Sequence, residues 1–265
     1  MHKDICSIIN ELCPENFKAV LSEFINLPIR TEHALNVVVD AIYEKAVTDP
    51  SCTVFCAIIS SRLARVKVST ADQRDTNFRQ VMLSKCQKEF EWDESEILNE
   101  KLKAIETAEP GEKERLKFEY HSSKDRILDK KFGNLRLIGE LFKLNFLIEC
   151  IVHECIKRHI FKESEESMES VCLLMRVVGE KLDCKPDSKF SRQIQKLSSK
   201  ALMEKYIKRI QLIVDKPQTS PKVKYMLQGV IDLRKNNWKN VIKERQNVQI
   251  VRELHECNKL HIEIV

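Results

Sequence analysis

Residues 133–156 read Gly133-Asn-Leu-Arg-Leu-Ile-Gly-Glu-Leu-Phe-Lys-Leu-Asn-Phe-Leu-Ile-Glu-Cys-Ile-Val-His-Glu-Cys-Ile156. In the first part Leu135, Ile138, Leu141 and Phe142 recur at helical spacing, and in the second Leu147, Ile148, Ile151, Val152 and Cys155 do the same. The break between them falls at Leu144-Asn145. The spacing therefore predicts two short apolar helices, joined tightly and folded against each other. A hairpin with two apolar faces cannot bury itself alone, so it requires neighbours on both sides.

The composition can supply them. Of 265 residues, 43% are hydrophobic and 32% charged, enough for a sizeable core in one large or two small domains. Glycine stands only at positions 111, 133, 139, 179 and 229. Phosphate loops, nucleophile elbows and tight β-hairpins need glycine for positive φ or close backbone approach. Its scarcity points to an all-α chain and away from a nucleotide-hydrolysing enzyme. Among the ten cysteines, Cys56, Cys86, Cys150, Cys155 and Cys172 sit inside apolar helical patterns and read as reduced, buried thiols of a cytoplasmic protein. Met1-His2-Lys3-Asp4 opens no leader-like stretch, and no apolar run approaches the ~20 residues that span a bilayer, so no membrane contact is expected.

Toward the N-terminus, Ile5, Ile8, Ile9 and Leu12 mark a short helix, and Pro14 suits the first position of a second, with Phe17, Val20, Leu21 and Phe24. Thr31 and Glu32 cap a third helix with Leu35, Val38, Val39, Ile42 and Ala46 inward, and a fourth presents Val54, Phe55, Ile58, Ile59 and Leu63. Asp75-Thr76-Asn77 starts a fifth. Residues 93–131 are rich in Glu, Lys, Asp and Ser around Pro110-Gly111, a charged insertion expected to be partly helical and mobile. Toward the C-terminus, Ser164 or Ser167 caps a helix striped by Val171, Leu174, Met175, Val178 and Leu182. Asp187-Ser188 begins a long basic helix reaching Val214, and Ser220-Pro221 starts another. Residues 239–265 read as a further helix or a tail. Without the insertion, helix pairs begin near residues 2, 32, 76, 146 and 188, a spacing of about 30 to 45 residues that overlaps the HEAT and armadillo periods. An α-solenoid is favoured over an irregular helical bundle.

The net charge of +5 is unevenly placed. From Lys189 to Lys224 ten Lys or Arg residues stand against only Glu204 and Asp215, whereas residues 89–100 are acidic. Such polarity attracts phosphate backbones by counterion release, although solvated charged faces are also ordinary. Cys150, His153 and Cys155 do not form a metal set: Cys155 points away from Cys150 on a helix, and no second pair completes tetrahedral coordination. Core thiols beside a surface histidine are expected there, and no metal. No G-x-S-x-G, H-E-x-x-H or G-x-x-x-x-G-K-[ST] occurs, so neither a catalytic residue nor a cofactor is assigned. Trp92 and Trp238 lie at helix ends among charges, and both are expected to be packing anchors rather than interface hot spots.

Several segments, in order from about residue 5 to 238, resemble the middle domain of eukaryotic translation initiation factor 4 gamma. They are Ile9-Asn10-Glu11-Leu12-Cys13-Pro14-Glu15-Asn16-Phe17; Asn77-Phe78-Arg79 with Cys86-Gln87-Lys88-Glu89-Phe90-Glu91; and Ile138-Gly139-Glu140-Leu141-Phe142-Lys143-Leu144 with His153-Glu154-Cys155. To these are added Glu169-Ser170-Val171-Cys172 through Gly179-Glu180-Lys181-Leu182-Asp183, and Tyr225-Met226-Leu227-Gln228 with Ile231-Asp232-Leu233-Arg234 and Asn237-Trp238. The resemblance implies a crescent of about five HEAT-type helix pairs over residues 1–238, interrupted by the insertion at 93–131. It also implies a non-catalytic scaffold that binds and stimulates the DEAD-box helicase called initiation factor 4A and contacts mRNA. Through initiation factor 3 such a scaffold helps recruit the small ribosomal subunit.

Carried over residue by residue, Ile9, Leu12, Phe17, Phe142, Leu144, Leu173 and Leu174 match helicase-docking positions. Some of these are expected to be structural, since the last four lie on core-like stripes. Lys85, Lys88, Lys130, Lys131 and Arg136 are candidates for RNA by charge and family position, joined on charge alone by Lys208, Arg209, Lys222 and Lys224. There are departures. The family's Leu-Gln-Asp is Leu-Gln-Gly at Gly229, its first-repeat lysine is Glu11, and its arginine cluster before Gly133 is reduced to Lys130-Lys131. Lys239-Asn240-Val241 replaces a basic triplet, and no segment for the cap-binding factor 4E is found. The chain thus reads as an excised domain or a short paralogue. The competing readings are an RNA-binding module that does not activate the helicase, and a translational repressor or decoy.

Overall fold

The computed structural model describes residues 2–69, 75–184 and 198–239. These residues form helices α1 (His2–Asn10), α2 (Phe17–Ile25), α3 (Glu32–Thr48), α4 (Thr53–Leu63), α5 (Phe78–Glu91), α6 (Ser95–Thr107), α7 (Pro110–Lys143), α8 (Glu149–Ile160), α9 (Glu165–Cys184), α10 (Ser199–Val214) and α11 (Pro221–Lys235). The chain is all-α in class, with one antiparallel ribbon of β1 (Lys67–Ser69) and β2 (Asp75–Asn77), in which Val68 faces Thr76. Three-residue strands are too short to show an alternating pattern. Only Val68 of the ribbon is buried, and that is why periodicity missed it.

Local chemistry sets five of the helix starts. Thr31 accepts a hydrogen bond from Ala34 N, Ser198 from Ala201 N, and Ser220 from Val223 N ahead of Pro221. Asn77 and Gln80 form a reciprocal capping box at α5, and Ser164 Oγ accepts from Ser167 N at α9. One expected start is corrected. The second helix begins at Phe17 rather than Pro14, because Asn16 Oδ1 accepts from Cys13 N while its Nδ2 donates to Glu11 O, and this holds residues 11–16 as a turn.

The chain divides into two compact units, residues 1–148 and 149–265. In the first, the pairs α1/α2, α3/α4 and α5/α7 follow in chain order, and the C-terminal part of α7 packs against α3, α4 and α5. Gly133 allows this approach: a Cβ there would lie 2.3 Å from the carbonyl oxygen of Val47. Asn134 Nδ2 donates to Cys86 O at 3.0 Å, and Leu135, Leu137, Leu141 and Phe142 of the same part of α7 are buried. In the second unit the pairs are α8/α9 and α10/α11, and α9 lies against the other three helices. The helix pairs and their order follow the HEAT-type pattern.

The stretch that predicts the fold is partly corrected. The break falls as expected: Leu144 caps α7, Asn145 takes φ 58°, and Phe146 N donates to Leu141 O. The first helix is not short, however, since α7 runs back without interruption to Pro110. The two helices of the stretch find their main partners within their own units, and Ile148 and Ile151 are 43% and 37% exposed. The charged insertion is helical almost throughout. Within it α6 packs along α7, with Leu98, Ile105 and Leu116 half-buried, while α6 buries no residue fully. The first half of the expected basic helix, residues 187–197, and most of 239–265 lie outside the described residues.

Candidate functional site

The predicted docking residues of the first pair lie underneath the surface. Ile9, Leu12 and Phe17 are buried; Leu12 O accepts from Cys52 Sγ at 3.2 Å, and the Phe17 ring packs 4.8 Å from Phe55. They fasten the α1–α2 turn onto α4. What this turn offers to a partner is Glu11, Pro14 and Glu15, all exposed and missed by a search for apolar positions. The Glu15 carboxyl is held below the usual carboxylate range by a backbone hydrogen bond. Phe142 and Leu174 are likewise buried, while Leu144 and Leu173 are half-buried.

The predicted RNA cations divide into two groups. Lys85 Nζ lies 3.1 Å from Asp40 and 3.9 Å from Glu89, over the Tyr43 ring at 5.4 Å. Lys130 lies 3.5 Å from Glu44 and 3.3 Å from Glu89, and Lys131 pairs with Glu94. These three lysines tie α5 and α7 to acidic side chains, so much of their charge is locally compensated. Arg209 and Lys216 share Glu163, and Lys222 pairs with Glu169. Lys88, Arg136, Lys208 and Lys224 make no ion pair among the described residues. Partly exposed pairs are worth ~1 kcal/mol or less and yield to a phosphate chain.

The expected surface histidine is corrected. His153 is wholly buried, its Nε2 hydrogen-bonded with Ser199 Oγ at 2.9 Å and its Nδ1 with the Tyr206 hydroxyl at 3.2 Å. Burial, with Lys157 nearby, pushes its pKa down to about 4, so the ring is neutral and joins α8 to α10. Both nitrogens are engaged. Cys155 is buried, its thiol pushed up to about 12 by burial. Among the described residues no group of three or more His, Cys, Asp or Glu could hold a metal ion. Trp238 is a packing anchor: it lies on Gly179, and its Nε1 donates to Asp183 at 2.8 Å, the carboxylate that also accepts two bonds from Arg234. Trp92 differs, at 41% exposed. No helix among the described residues is long and apolar enough to cross a membrane.

Residues 3–237 match the MIF4G domain. The chain is 34% identical over 265 residues to human eukaryotic translation initiation factor 4 gamma 3, covering 98% of this chain and 16% of that protein. It is 35% identical over 243 residues to mouse eukaryotic translation initiation factor 4 gamma 1, covering 90% of this chain and 14% of that protein. The chain thus spans about a sixth of the length of these relatives. The crystal structure of the MIF4G domain of Trypanosoma cruzi translation initiation factor EIF4G5 matches with a TM-score of 0.50 at 18% identity, covering 89% of this chain and 96% of that one. That likeness concerns the fold.

Proposed function

The chain belongs to the MIF4G domain family, and on that premise we propose that it is a non-catalytic translation-initiation scaffold that binds and stimulates a DEAD-box helicase of the initiation factor 4A type and contacts RNA. The observation that carries the reading is the match along nearly the whole chain to the initiation factor 4 gamma relatives. In this reading the protein acts in the cytoplasm, with initiation factor 3 and the small ribosomal subunit as further partners. The buried Ile9, Leu12 and Phe17 position the α1–α2 turn, and the exposed Glu11 and Glu15 make the contact. The acidic pair would meet a basic patch on the helicase, with steering that weakens in salt.

The test is the helicase's RNA-dependent ATPase rate with and without the protein. Stimulation is expected, and the double variant Glu11→Lys with Glu15→Lys should reduce it several-fold while leaving the melting temperature unchanged. A folded protein that neither binds nor stimulates the helicase overturns the reading. The second reading, an RNA-binding module acting without the helicase, is favoured by the exposed lysines of α10. It requires salt-dependent RNA binding in that same inactive protein.

A further inference from the structure

Where α8 ends, Phe161 stands 69% exposed in the turn before α9, with the guanidinium of Arg209 6.0 Å from its ring centroid. Glu163, two residues on, adopts the left-handed conformation with φ 51°, a region that favours glycine. Its carboxylate is used: the two oxygens bridge Arg209 and Lys216, and Lys216, ahead of Arg209, holds the carboxyl below the usual carboxylate range. The strained glutamate thus holds the guanidinium beside one side of the phenyl ring and leaves much of the ring open to solvent.

Helix α10 continues this surface. At 100° per residue Lys205, Arg209 and Leu212 fall on one stripe, with Lys208 at its edge, over about 10 Å of helix, and Lys216 follows just past the C-cap Asp215. Leu212 is 58% exposed, and Lys205 and Lys208 are exposed without an ion pair among the described residues. Glu163 is the acid at the centre, while Glu204 and Asp215 lie at the margin of the stripe. A row of cations suits a phosphate backbone, and an exposed ring beside it suits an unstacked base. Base–aromatic stacking is the usual way in which single strands, but not duplexes, are gripped.

We propose that Phe161, with Lys205, Lys208 and Arg209 of α10 and Lys216 just beyond its end, forms a single-stranded RNA subsite in which one base stacks on the open side of Phe161 and the phosphates run along α10. It rests on the RNA half of the function proposed above and adds the strand type, the stacking residue and the path. The test uses the full chain and a short fluorescein-labelled oligouridylate titrated by anisotropy at several salt concentrations. Phe161→Ala should weaken binding about tenfold with an unchanged salt slope, and Phe161→Trp should restore affinity with its fluorescence quenched on binding. Lys208→Ala should instead lower the salt slope by about one. Exposed Phe161 and Lys208 leave the melting temperature unaffected. If the parent binds the oligonucleotide and Phe161→Ala binds equally well, the stacking subsite is overturned while the RNA reading stands. If duplex RNA competes equally and is insensitive to Phe161→Ala, the single-strand assignment falls. If the parent binds no RNA even at low salt, both fall. If Phe161→Ala instead loses helicase binding with RNA affinity intact, the face is a protein-docking surface and the proposal is wrong.

Discussion

Two helical glycines, one in each unit, permit close approach against different kinds of neighbour. Gly133 of α7 lies against the backbone of Val47 in α3, so a methyl group there meets atoms that cannot turn aside. Gly179 of α9 lies under the far edge of the Trp238 ring, a side chain held by its indole N–H to Asp183. The first contact fixes the spacing of two helices. The second seats one residue just past the end of α11. The first unit is therefore closed by packing of backbone on backbone, the second in part by polar ties that can be undone singly.

Substitutions should separate the two. Gly133→Ala is expected to destabilise by about 3 kcal/mol or more, because α3 and α7 must part along their length. A urea titration showing less than about 1 kcal/mol would remove the distinction. Acid sharpens it from the other side. Folded His153 takes up a proton only near pH 4, whereas in the unfolded chain it does so near its ordinary 6.5. The unfolded state binds more protons between these values, so the stability contributed by neutral His153 is complete above about pH 6.5 and is lost as pH falls toward 4. That amounts to about 2 kcal/mol by pH 5. His153→Gln should flatten this dependence in melts recorded between pH 7 and 5, and a parent whose stability does not change over that range would contradict it.

Gly179→Ala should cost less than Gly133→Ala, about 1 to 2 kcal/mol, because the indole can swing away. Its signature is a red-shifted Trp238 emission, read in a Trp92→Phe background. The smallest effect is expected at Gly111, where nothing lies within 4 Å of an added methyl group. Gly111→Ala should stabilise by about 0.5 kcal/mol, a measurable counterexample if glycine in these helices were needed everywhere.

Helix starts were readable in the sequence because they are local. Thr31, Asn77, Ser164 and Ser220 carry their caps within three residues. The role of Gly133 was not, since it depends on Val47 in another helix. Neither was the burial of His153, which comes from Ser199 and Tyr206 arriving from α10. The candidate site shows the same limit. Charge and family position marked Lys85, Lys130 and Lys131 as available cations, but Asp40 and Glu44 of α3 come to lie beside the first two and Glu94 beside the third. Apolar spacing found Ile9, Leu12 and Phe17 without telling that these form the inner side of their turn. Phe161 carried no periodic signal, and its exposure became visible only with the geometry of the turn.

The continuity of α7 has a mechanical consequence. From Gly133 back to Pro110 a straight helix extends about 34 Å, at 1.5 Å per residue. With its seat at Gly133 it is a lever with a short, clamped end and a long outer end. By that geometry, a tilt of about 5° at the seat displaces the tip by about 3 Å. The aim of the outer two-helix segment is thereby set by a contact with no room for a methyl group.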